Sequence, residues 1–205
     1  IFEKAMVLCT LLLFVLGIII YSLGESNGLW GRNGLLSMIF FAQFVAYAFS
    51  YFKLDDNLSK NRVQFSIQVV AAVYTLAAIS KISASGVLWF TDAPKLSVQI
   101  LKSFYYEYAT NVNAENIKKA WQITSWSLQH PLIMQFMLLV SLVLECFSFL
   151  LITNKATALF YGMLLVGMHI GIDFFMGINF YSICMPMVIF CINHTYLLGA
   201  AGLAI

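Results

Sequence analysis

The chain has 205 residues, 61% of them hydrophobic and only 10% charged, with a formal net charge of +2. A soluble domain carries about a quarter charged residues. Here the apolar residues fall in long blocks, which excludes an ordinary soluble domain and leaves no basic footprint for nucleic acid.

In chain order the blocks predict six membrane spans, at residues 5–24, 35–52, 63–82, 130–152, 156–176 and 178–194. Each is long enough, at about 1.5 Å rise per residue, to cross roughly 30 Å of hydrocarbon with modest tilt. The expected fold class is therefore an all-α, polytopic transmembrane bundle forming a single domain over residues 1–205. The fifth and sixth spans meet around Gly177, and Pro186 is expected to kink the sixth. The first block shows no small-residue cleavage site before Gly24 and reads as a span, not a signal peptide. The chain begins at Ile1 and ends in LLGAAGLAI, which reads as part of a longer protein.

Lys4, Lys53, Lys60, Arg62 and Lys155 fall on one side of this topology, and Arg32 alone falls in a short loop on the other. The positive-inside rule places the N-terminus in the cytoplasm. The connection 83–129 is long and belongs to the outer face. Within it Leu96, Ile100, Phe104 and Tyr108 recur every four residues. Ile117, Trp121 and Leu128 form a weaker stripe after a candidate cap at Asn113. One or two amphipathic helices lying along the interface are expected, with Trp89, Trp121, Trp126, Tyr105 and Tyr106 nearby.

The four cysteines, Cys9, Cys146, Cys184 and Cys191, lie inside apolar blocks without CxxC or metal spacing. They read as buried small hydrophobes, and no metal site is expected.

Ionisable groups inside spans are costly and usually face a bundle interior or a cavity. Here they are Lys81, Glu145, His169 and Asp173, with His130 opening its span. The topology puts Lys81, His130, His169 and Asp173 in the outer leaflet and Glu145 deeper. His169 and Asp173 are spaced i, i+4 and share a helix face. Gly167 and Gly171 bracket His169 as a GxxxG pair that would admit a close neighbour or form a packing seam. Each residue also has a plainer reading. Lys81 would snorkel to the headgroups or pair with Asp173. Glu145 would be neutral and hydrogen-bonded. Two histidines alone are a weak signal for axial haem ligands, so haem is not expected. The sequons at Asn57 and Asn193 carry no weight without a lumenal location.

The order of these features resembles a known family. A span ends in Ala77-Ala78-Ile79-Ser80-Lys81-Ile82, and Trp89 follows. His130-Pro131 opens a span containing Leu144-Glu145, and a later span carries His169 before Gly177-Ile178-Asn179-Phe180. Over roughly residues 63–194 this is similar to the horizontally transferred transmembrane domain family, the membrane part of vitamin K-dependent gamma-carboxylases. The resemblance implies that Lys81 matches the lysine that deprotonates reduced vitamin K. A quinone would be the cofactor, with His169, Asp173 and His130 around the pocket, and Trp89 and Glu145 beside it. A lysine can act as a base only where its surroundings favour the neutral form.

This sequence departs from the family pattern at Ser80, where the family has the first lysine of a pair. Trp89 also lies further from Lys81, and these 205 residues hold no counterpart of the lumenal substrate-binding domain. Two functions follow as expectations. The first is an accessory subunit of a larger membrane complex, with other membrane subunits and the lipid bilayer as partners. The second is a quinone-binding, redox-coupled enzyme with Lys81 as base. A small transporter ranks below both, because paired Gly/Pro breaks and internal repeats are absent.

Overall fold

The computed structural model describes residues 2–26, 34–54, 57–112, 114–176 and 180–192. Every regular element among them is helical. The helices are α1 (Phe2–Ser26), α2 (Gly34–Tyr51), α3 (Leu58–Ser85), α4 (Ala93–Asn111), α5 (Ala114–Gln129), α6 (Pro131–Cys146), α7 (Lys155–Met176) and α8 (Tyr181–Pro186). Short 3₁₀ turns lie at Trp89–Asp92 and Ser148–Ile152. Among the described residues α1, α2, α3 and α7 are long and apolar enough to cross a membrane, and α5 with α6 adds a fifth span if that bent pair counts as one. The chain is thus an all-helical protein with several membrane-spanning helices. Three sequence expectations, the turn at Gly177, the Asn113 cap and the loop around Arg32, fall outside the described residues.

The expected fourth and sixth spans are shorter as continuous helices. α6 has 16 residues, about 24 Å of rise, and then tightens into the 3₁₀ turn from Ser148. The segment expected as the sixth span begins as α8 and widens into a π turn at Met187–Cys191 directly after Pro186. Proline has no N–H for the helical ladder. The backbone resumes with Ile192 N–H donating to the Met187 carbonyl, five residues back.

The chain divides into two compact units. The first comprises Ile1–Tyr74, Ser148–Val166 and Tyr181–Ile205. In it α1 packs on α2, and Gly17 permits the approach, since a Cβ there would lie 2.6 Å from the Ser37 hydroxyl oxygen. Gly162 of α7 does the same for the π turn, where a Cβ would meet that of Cys191 at 2.7 Å. Ser148 donates to the Ala71 carbonyl at 3.0 Å, and the Tyr74 hydroxyl contacts the Met187 sulfur at 3.4 Å. Of the four cysteines only Cys191 is buried, and Cys9 is exposed on α1.

The second unit comprises Thr75–Phe147 and Gly167–Phe180. Its core is Ile100 and Phe104 of α4, Ala120 of α5 and Met134 of α6, flanked by Leu96, Ile123, Trp126 and Met176. Of the main sequence stripe, Leu96, Ile100 and Phe104 therefore face inward, whereas Tyr108 is half-buried and takes no part in this core. The weaker stripe does not face inward. Trp121 and Leu128 are exposed, and the inward face of α5 is Ala120, Thr124 and Ser127. Small residues let the two helices of the hairpin approach, and Ser97 and Ser127 exchange a hydrogen bond of 2.9 Å across it. Trp121 is left outside, while Trp126 packs against the core.

Candidate functional site

The second unit contains every residue singled out from the sequence as a site candidate. α3 ends where Gly86 adopts φ +75°, the left-handed region that glycine enters without steric cost. Its N–H donates to the Ile82 carbonyl at 2.7 Å, and the Gly86 carbonyl then accepts from Trp89 N–H at 3.2 Å. This reversal folds the Trp89–Asp92 turn back toward the last turns of α3. The Trp89 ring comes to lie 4.8 Å from the Lys81 ammonium, within the range of a cation–π contact.

Lys81 also donates to both carboxylate oxygens of Glu145, at 2.5 and 2.6 Å. The Glu145 side chain is 7% exposed and that of Lys81 28%. Glu145 is therefore the counter-ion of Lys81, not Asp173, and it is not separated from Lys81 by depth. The reason is the direction of helical side chains. The Cα–Cβ bond tilts toward a helix's N-terminus, so a lysine near the C-terminal end of α3 reaches back along the helix.

His169 is buried on α7, its ring centroid 4.6 Å from that of Phe180. Asp173, one turn further along α7, is half-buried and makes no salt bridge with Lys81. Gly167 and Gly171 meet no neighbour. A Cβ at either would have nothing within 4 Å.

His130 belongs to a different cluster. It forms the junction between α5 and α6, where the chain bends by 96°. Its N–H closes α5 on the Trp126 carbonyl, and its own carbonyl accepts from Ile133 and Met134 as α6 begins. Pro131 suits this start, since the first helical position needs no donor. The His130 ring hydrogen-bonds the Trp126 carbonyl through Nδ1 at 2.9 Å and stacks on the Trp126 ring at 4.9 Å. Trp126 in turn stacks on Phe175 at 5.7 Å. The i, i+4 spacing of Trp126 and His130 was a visible signal for this stack, whereas Phe175 carried none. Among the described residues no three His, Cys, Asp or Glu side chains gather as a metal site.

The arrangement thus consists of an engaged ammonium–carboxylate pair capped by an indole, a buried imidazole against Phe180, and a separate aromatic stack at a helix bend. It can neutralise charge in an apolar setting and tie α3, α6 and the Trp89 turn together. No family model, no characterised protein and no solved structure matches the chain.

Proposed function

We propose that the protein is an accessory subunit of a larger membrane assembly, on a scaffold like the carboxylase membrane domain but without its base chemistry. The observation that carries this reading is the bidentate Lys81–Glu145 pair. A base needs its nitrogen available to a substrate proton. Here the ammonium is committed to a nearly buried carboxylate, the use expected of a lysine that holds helices together. In this reading the N-terminus is cytoplasmic, because Lys4, Lys53, Lys60, Arg62 and Lys155 share one side of the predicted topology.

One observation favours the second reading, a quinone-binding enzyme. The Lys81 side chain keeps 28% exposure and lies beside the Trp89 ring, so part of the lysine remains accessible next to an aromatic surface. A quinone ring would lie there, with His169 and Asp173 of α7 as the expected further contacts and Glu145 as the structural partner, while His130 stays in its own stack on Trp126.

Native mass spectrometry of the protein gently extracted from its own membrane separates the two. A stoichiometric assembly without a small ligand supports the accessory role. A lone chain carrying a quinone-sized mass, lost in Lys81→Met, overturns it in favour of the enzyme.

A further inference from the structure

Two cations of the first unit, Lys4 and Arg62, have no carboxylate against them among the described residues. Lys4, in the first turn of α1, places its ammonium 5.6 Å from the Tyr51 ring centroid. Arg62, in the second turn of α3, places its guanidinium 5.1 Å from the Tyr47 ring centroid. Tyr47 and Tyr51 are four residues apart on α2 and share a face. Two cations from two helices therefore lie over adjacent rings, and neither has a carboxylate partner among the described residues. Like charges on one face repel one another, and an anion bound beside them offsets that repulsion.

The guanidinium is also held in place. Arg62 Nε donates to the Gln43 side-chain oxygen at 2.7 Å. The Gln43 amide nitrogen donates to the Ser66 hydroxyl at 2.8 Å and to the Arg62 carbonyl at 3.0 Å. Gln43 is 7% exposed and Ser66 fully buried. A buried glutamine in an apolar helix is costly. This one has its amide oriented by two acceptors, so its oxygen is fixed toward Arg62. With Nε engaged and one face over a tyrosine, the two terminal nitrogens of Arg62 remain unbonded among the described residues. That edge is the part of a guanidinium that grips a phosphate with two parallel hydrogen bonds.

We propose that this end of the first unit binds the phosphate of an anionic phospholipid headgroup between Arg62 and Lys4. The cations stand near the ends of three helices apolar enough to span a membrane, where lysine and arginine meet the headgroup layer. The shared chemistry is a phosphate, and free phosphate is the competing source.

The test is native mass spectrometry of the protein titrated in mild detergent with phosphatidylglycerol, with phosphatidylcholine, and with inorganic phosphate as competitor. Wild type is expected to retain phosphatidylglycerol over phosphatidylcholine, and Arg62→Gln to lose about tenfold in that retention. Lys4→Gln should lose less. Gln43→Leu keeps both charges but releases the guanidinium, and should weaken retention while leaving the lipid preference. Arg62→Lys, the variant least disturbing to folding, should fall between wild type and Arg62→Gln. Equal retention of the two lipids by wild type, or undiminished phosphatidylglycerol binding in folded Arg62→Gln and Arg62→Lys, would overturn the site. Complete displacement by inorganic phosphate would overturn the lipid as its occupant.

Discussion

Arg62 and Lys81 belong to one helix and stand equally far from its ends. Arg62 is four residues from Leu58, the first residue of α3, and Lys81 is four from Ser85, the last. Arg62 lies in the first unit, over a tyrosine, without a carboxylate among the described residues. Lys81 lies in the second, over a tryptophan, closed by Glu145. Side chains on a helix lean toward its N-terminus. At the N-terminal end this lean carries a cation outward toward the headgroups and water. At the C-terminal end it carries one inward, where an unpaired charge is costly and a counter-ion has to be supplied. The same residue class thus performs two different tasks at the two ends of α3.

The most direct way to break the contrast is to remove one member of the interior pair. Lys81→Met leaves the Glu145 carboxylate buried without its partner, and thermal unfolding in mild detergent should show a loss of roughly 3 kcal/mol. Lys81→Met with Glu145→Leu should recover most of that loss, since an apolar pair of similar size can replace an ion pair. If the double variant is no more stable than the single one, the pair is not the reason the lysine is tolerated. Arg62→Met should cost much less stability than Lys81→Met, because no buried carboxylate is stranded.

A second contrast runs along α7. Gly162, in the first unit, faces the Cys191 side chain with no room for a Cβ, whereas Gly167, in the second, faces open space. Gly162→Ala should therefore destabilise by about 1–2 kcal/mol through overpacking. Gly167→Ala should stabilise by about 0.5 kcal/mol through helix propensity. Melting temperatures that shift alike in both variants would show that the two halves of α7 are packed alike.

These contrasts mark what the sequence could and could not convey. The helices themselves were legible, since long apolar blocks and the His130-Pro131 start need no tertiary knowledge. So was the inward stripe of α4, because Leu96, Ile100 and Phe104 repeat at the helical period. The stripe on α5 misled, because size and apolarity pointed to Trp121 and Leu128. The close α4–α5 approach instead selected the small Ala120, Thr124 and Ser127 for the inside. The partner of Lys81 was hidden for a different reason. Residue counting sets the depth of a Cα atom, but a lysine extends several ångströms from it, and that reach is enough to change which carboxylate it meets. The hold of Gln43 on Arg62 was likewise invisible, being a contact between helices with no local spacing to announce it.

Gln43→Leu sharpens the comparison at the rim. It removes the bonds to Arg62 and to the buried Ser66 hydroxyl, for a loss of about 1 kcal/mol. The smallest effect is expected at Trp89. The indole covers the Lys81 ammonium at 4.8 Å, and tryptophan offers a cation the strongest of the aromatic faces. Trp89→Phe keeps an aromatic ring over the charge and should cost about 0.5 kcal/mol, whereas Trp89→Leu removes the quadrupole and should cost about 1 kcal/mol. In the Lys81→Met background the difference between phenylalanine and leucine at this position should vanish, because no cation is left to prefer a ring. A difference that persists there would make Trp89 a packing residue of the turn and leave Glu145 as the sole counterpart of the lysine charge.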